Sequence, residues 1–89
     1  MEINLGNLND KKEIHKIFKE KFNFPDYYGE NFDAFWDLIS ENKNILPNKI
    51  IFKNFNDYSN KFESYSKILK EILNDYKEQI NNSFEVLYE

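Results

Sequence analysis

The stretch FPDYYGENFDAFWD, residues 24–37, decides how this chain is read. It sets Phe24, Tyr27, Tyr28, Phe32, Phe35 and Trp36 among the carboxylates of Asp26, Glu30, Asp33 and Asp37, with no Lys or Arg. Its first part lies in a connection over residues 23–31. Pro25 there stops any preceding helix, and Gly29 permits a positive φ or a close approach of neighbours. Asn31 is a good N-cap. Beyond it Phe32, Phe35, Trp36 and Ile39 repeat at helical spacing. Asp33, Asp37 and Glu41 form a second stripe, each one turn from the next. A tyrosine-rich loop thus leads into an amphipathic helix with an acidic outer face.

Upstream, EINL at residues 2–5 suits a short strand that Gly6 ends. Ile14, Ile17, Phe18 and Phe22 then follow i, i+3, i+4, i+8, which predicts a first helix. Asp10 with Glu13 fits a capping box with Asp10 as the cap. The lysines at 11, 12, 16, 19 and 21 mostly lie off the apolar stripe and read as a solvated face. His15, the sole histidine, stands beside Ile14 and reads as a boundary or packing residue rather than a base.

Downstream, Pro47 marks another break. Ile50, Ile51 and Phe52 form a continuous apolar run, the pattern of a central strand buried on both faces. A helical turn over residues 57–61 is expected next. Tyr65, Ile68, Leu69, Ile72, Leu73, Tyr76 and Ile80 trace a long amphipathic helix. Phe84, Val86 and Tyr88 alternate as a final strand. Strands separated by helices favour parallel pairing with crossovers. The expected fold is α/β, a three-stranded parallel sheet with packed helices, in a single domain over residues 1–89.

Composition narrows the function. The chain has 89 residues, 18% of them aromatic, and a net charge of −4. The segment from Phe22 to Asn42 carries −5 through Asp26, Glu30, Asp33, Asp37 and Glu41, and the remainder carries +1. Such a field attracts cationic partners and repels nucleic acid. Every basic residue is Lys, which further weakens a nucleic-acid reading because Arg is the usual reader of bases and phosphates. There is no cysteine, so disulfides and thiolate metal sites are excluded. No signal peptide and no membrane-length apolar run is present, which makes the cytoplasm the simplest location.

Two readings of the acidic stripe stand side by side. Like charges one turn apart cost an isolated helix roughly 0.2–0.5 kcal/mol. Asp33 recovers part of that near the positive end of the helix dipole, Asp37 much less, and Glu41 sits at the unfavourable end. The stripe is then either a solvated face screened by salt or a row awaiting external positive charge. Tyr27, Tyr28 and Trp36 beside it are residue types enriched among interface anchors. A metal site is disfavoured, because the D-x-D-x-D-G spacing of a calcium loop is missing and one helix face offers few ligands. No cofactor motif is present. An enzyme is not expected either: carboxylate acid–base work needs a concave pocket, and no Ser-His-Asp or Cys-His set can be assembled.

The motif resembles the signature of the barstar family, intracellular inhibitors of secreted ribonucleases of the barnase type. Pro25, Tyr27, Tyr28, Gly29, Glu30, Asn31, Asp33, Ala34, Trp36 and Asp37 carry the match, and IHKIFKEKFNFP upstream fits the family's first helix, with its histidine at His15. The resemblance implies a basic extracellular ribonuclease as partner, bound by a monomer in a 1:1 complex. It implies that Asp37 takes a phosphate position in the enzyme's cationic site and accepts charge-assisted hydrogen bonds there. Asp33 would make a second set one turn earlier, and Tyr27 would lie against the catalytic histidine. Gly29, Asn31 and Trp36 would complete the contact. A further acidic contact from the last long helix falls to Asp75, with Glu71 or Glu78 as alternatives. An aromatic that follows the second helix in the family has no counterpart at Asn42 and Lys43. That departure leaves open a barstar-like module bound to another basic protein.

Overall fold

The apolar periods mark out the elements of the computed structural model, which describes residues 1–89. The order is β1 (Glu2–Asn4), α1 (Glu13–Lys21), α2 (Phe32–Glu41), β2 (Lys49–Lys53), α3 (Phe55–Lys61), α4 (Glu63–Gln79) and β3 (Glu85–Tyr88). The strands form one parallel sheet in the order β1-β2-β3. Ile3 pairs with Phe52, and Phe52 with Tyr88, so one row of large apolar side chains crosses the sheet. The expected parallel three-stranded α/β fold is the one observed.

The expectation that β2 is buried on both faces does not hold. Ile50 and Phe52 are fully buried, but Ile51 is only half-buried and shares its face with Lys49 and Lys53. β1 and β3 agree: Glu2, Asn4, Glu85 and Leu87 are exposed, whereas Ile3 is buried and Val86 and Tyr88 pack against the core. The helices therefore cover one face and leave the other to solvent. An apolar run of three cannot distinguish one covered face from two, and the flanking lysines were the signal for one.

Helix termini differ from the sequence reading in instructive ways. α1 begins at Glu13, after Lys12, and Asp10 does not cap it as an N-cap. Its carboxylate instead accepts from the Lys12 amide (2.8 Å), and its carbonyl accepts from the Glu13 amide. α1 also ends before Pro25 can act. Asn23 takes a left-handed φ of 54°, the Asn23 amide donates to the Glu20 carbonyl, and the Phe24 amide to that of Lys19. This is a Schellman motif with Asn in place of Gly, and the proline follows it.

The core is one cluster of 19 buried apolar residues, more than half of them aromatic. α2 enters it through Phe32, Phe35 and Ile39. Phe35 stacks on Phe18 of α1 with centroids 4.8 Å apart, and Phe32 lies 4.3 Å from the Tyr65 ring of α4. At the other end the Tyr76 hydroxyl of α4 donates to the Lys43 carbonyl just beyond α2. The start of α2 meets the first turns of α4 and the residues just past its end meet a later turn, so the two helices run side by side in the same direction. The packing buries Phe32, Phe35 and Ile39 and leaves the acidic side of α2 outward.

Candidate protein-binding face

Local chemistry places α2. The Asn31 side chain accepts from the Ala34 amide at 2.8 Å, which satisfies one of the donors that a helix start leaves open. Its amide group also donates to the Gly29 carbonyl at 3.3 Å, tying the cap to the loop. Gly29 does not take a positive φ; Glu30 does, at 53°. Gly29 serves close approach instead, since a Cβ there would stand 3.3 Å from the Ala34 Cβ. A non-glycine residue in the left-handed region costs about 1 kcal/mol. The loop is therefore strained at Glu30 and held by few hydrogen bonds, the condition in which functional loops are often found.

Inside the loop, Tyr27 and Tyr28 diverge. Tyr28 is 5% exposed and packs on Phe24, while Tyr27 is 82% exposed. On α2, Asp33, Asp37 and Glu41 are all exposed, and none makes an ion pair. Asp26 and Glu30 in the loop are likewise unpaired. The carboxylates that do find cations lie elsewhere: Glu2 and Glu89 share Lys53 on the open sheet face, and Glu63 pairs with Lys67 along α4.

Tyr27, Tyr28, Gly29, Ala34, Asp37, Leu38 and Glu41 line a shallow hollow of about 220 Å³. Ala34, Asp37, Leu38 and Glu41 follow i, i+3, i+4, i+7, so one side of α2 forms its floor. The result is an apolar base with two carboxylates at the rim and an exposed phenol across from them. Such a hollow suits a partner's cationic or imidazole side chain, with its stem on the apolar base and its charge at Asp37 or Glu41. No group of three or more His, Asp or Glu side chains is arranged to hold a metal ion.

Of the residues singled out in the sequence, Tyr27, Gly29 and Asp37 meet in this hollow. Asn31 and Asp33 stand at the helix start beside it, and both are exposed. Trp36 is half-buried and packs against the core, so only part of it faces solvent. Asp75 lies outside the hollow. Glu71, Asp75 and Glu78 are all exposed along the outer side of α4. Ala34, Leu38 and Glu41 are floor and rim of the same hollow, and their one-turn spacing beside Asp37 is the only sign of it in the sequence. His15 is fully buried, as a packing residue is, and its ring also has two polar partners that the sequence does not reveal.

Fold and site together define a small α/β protein with an uncompensated acidic face. The family profile described as "Barstar (barnase inhibitor)" matches residues 1–89, and the chain belongs to the barstar family. It is 36% identical over 77 residues to a Bacillus subtilis (strain 168) protein named "Putative ribonuclease inhibitor YrdF". That match covers 85% of this chain and 82% of the relative.

Proposed function

We propose that this chain inhibits a secreted, basic ribonuclease of the barnase type and protects the cytoplasm of the cell that makes the enzyme. It binds as a monomer, 1:1, and closes the active site with α2 and the loop before it. Asp37 stands where an RNA phosphate would stand and accepts hydrogen bonds from the enzyme's cations. Asp33 makes a second set one turn away. Tyr27 lies against the catalytic histidine, and Gly29, Asn31 and the exposed part of Trp36 close the contact around it. Asp75 supplies a further acidic contact from α4. Buried charges are costly unless well paired, so the affinity depends on close matching of these groups.

One observation carries the reading: Asp33 and Asp37 are exposed, one turn apart, and have no cation of their own protein within ion-pairing distance. Family membership and the named relative support the same role. No helix is long and apolar enough to cross a membrane, and nothing in the acidic face suits nucleic acid. The test is an RNA-cleavage assay on nucleases secreted by the native organism, with and without this protein. Stoichiometric loss of cleavage supports the proposal. Unchanged cleavage with every captured nuclease would defeat it.

A second reading has one observation in its favour. Asn42 and Lys43, polar and exposed, stand where the family carries an aromatic after α2. A barstar-like module that binds a different basic protein would follow if the acidic face captures a partner without ribonuclease activity.

A further inference from the structure

The His15 ring is fully buried, and each of its nitrogens meets a tyrosine. Nδ1 shares a 2.6 Å hydrogen bond with the Tyr28 hydroxyl, and Nε2 one of 2.6 Å with the Tyr65 hydroxyl. A neutral imidazole offers one N–H and one lone pair, so it donates to one phenol and accepts from the other. Burial, with Lys12 adding to it, lowers the His15 pKa to about 4 and keeps the ring neutral near pH 7. Burial likewise raises the pKa of both phenols. One ring therefore joins α1 and the loop that follows it to α4, fifty residues further on.

Tyr65 has no direct place on the acidic face. It lies half-buried beside Phe32, with the Lys11 ammonium 5.4 Å from its ring centre. Tyr28 is different. Its chain neighbours are Tyr27 and Gly29, and all three residues line the hollow beside Asp37. Little else locates that loop. The Tyr28 amide donates to the Pro25 carbonyl, the Lys19 ammonium to the Asp26 carbonyl at 3.3 Å, the Asn31 side chain reaches Gly29, and Glu30 is strained. A strained loop with few backbone bonds takes its position from whatever grips its buried side chain.

We propose that His15 and Tyr65 are positioning residues for the binding face, holding Tyr28 from beneath so that Tyr27, Gly29 and the hollow keep one arrangement ready for the partner. The relay rests on the ribonuclease-inhibitor reading only for its consequence in binding. Its consequence for the loop belongs to the free protein. Preorganisation of this kind lowers the ordering cost of association and shows mainly in the rate of dissociation.

The test uses Tyr65→Phe, Tyr28→Phe and the double variant in the full chain. Phe keeps the ring packing and removes one hydroxyl. In the free protein, Tyr65→Phe should speed hydrogen exchange of the amides of Tyr28 and Ala34 about tenfold, while amides of β2 keep their protection. In the complex with the captured ribonuclease, each single variant should dissociate about tenfold faster at unchanged association rate. The double variant should fall within about threefold of the singles, because both hydroxyls act through one imidazole; independent groups would multiply to about a hundredfold. Unchanged loop exchange, or exchange raised equally throughout the chain, would overturn the positioning role. Multiplicative dissociation rates would overturn the relay. If no ribonuclease is captured, the inhibitor reading fails by itself and the exchange experiment still decides whether the relay holds the loop.

Discussion

Tyr27 and Tyr28 are neighbours in sequence, and the two sides of the loop they occupy are built on opposite principles. Beneath the loop, every buried polar side-chain atom has a partner, and His15 meets a phenol at each nitrogen. Above it, Tyr27 stands 82% exposed among carboxylates with no counter-ion. The open sheet face shows that this chain can neutralise acids where it needs to, since Lys53 serves both Glu2 and Glu89. With twelve lysines in the sequence, the bare acidic face is a matter of placement rather than of supply. The inner side satisfies its polar groups within the chain, and the outer side leaves its charge unpaired, as the proposed partner would require.

The largest expected effect breaks the inner side. The His15 pKa falls from 6.5 to about 4 on folding, because burial and then Lys12 oppose the cation. Between those values the unfolded chain binds a proton that the folded chain refuses. The contribution is therefore complete above pH 6.5, shrinks as pH falls toward 4, and stays lost below that. Its full size is about 3 kcal/mol. Urea unfolding at pH 7, 5.5 and 4 should show the native protein losing that much more than His15→Gln over this range. Parallel losses in the two proteins would mean that His15 does not titrate in this way.

Next in size comes the outer side. Asp37→Ala should weaken the ribonuclease complex by about 2 kcal/mol or more, roughly thirtyfold in Kd. Glu89→Ala on the open sheet face should leave binding within about twofold. A loss below about 0.5 kcal/mol for Asp37→Ala, measured by titration calorimetry or surface-based kinetics, would make Asp37 peripheral and remove the contrast between the two faces.

These two sides were not equally legible in the sequence. The α2 stripe, the Asn31 cap and the exposed Asp33–Asp37–Glu41 row could be read directly, because helical period and capping are local properties. The parallel sheet followed from the alternation of elements. What stayed hidden depended on contacts distant in sequence. His15 beside Ile14 reads as a packing residue until Tyr65, fifty positions away, is seen to bond it. Gly29 permitted a positive φ or a close approach; the close approach to Ala34 is the one found, and the positive φ falls one residue later, at Glu30. Ile50, Ile51 and Phe52 suggested two covered faces, and only the strand's place in a two-layer fold showed one of them open.

Ionic strength sharpens the comparison with a smaller effect. Unpaired exposed charge acts at long range and is screened within about 10 Å at 0.1 M salt. Raising sodium chloride from about 0.05 to 0.5 M should slow association roughly tenfold and leave dissociation within about twofold. The inner relay is shielded from salt, so Tyr65→Phe should keep the same salt dependence of its association rate. Stopped-flow association measured at several salt concentrations checks both. A flat association rate would mean that the acidic face does not steer the encounter.

The smallest effect reads the cost of the outer side to the free protein. Asp37 has Asp33 one turn before it and Glu41 one turn after, and neither a cation nor the helix start lies near enough to offset them. Asp37→Asn should therefore stabilise the free protein by about 0.3 kcal/mol in urea unfolding, even as it weakens the complex. Asp33→Asn should do the reverse to stability, losing a few tenths of a kcal/mol, because Asp33 sits in the first turn and favours the helix dipole. Opposite signs for two aspartates four residues apart would show that one serves the helix as well as the interface and the other serves the interface alone. Were Asp37→Asn to destabilise the free chain, Asp37 would have an internal partner after all, and the outer side would be built like the inner one.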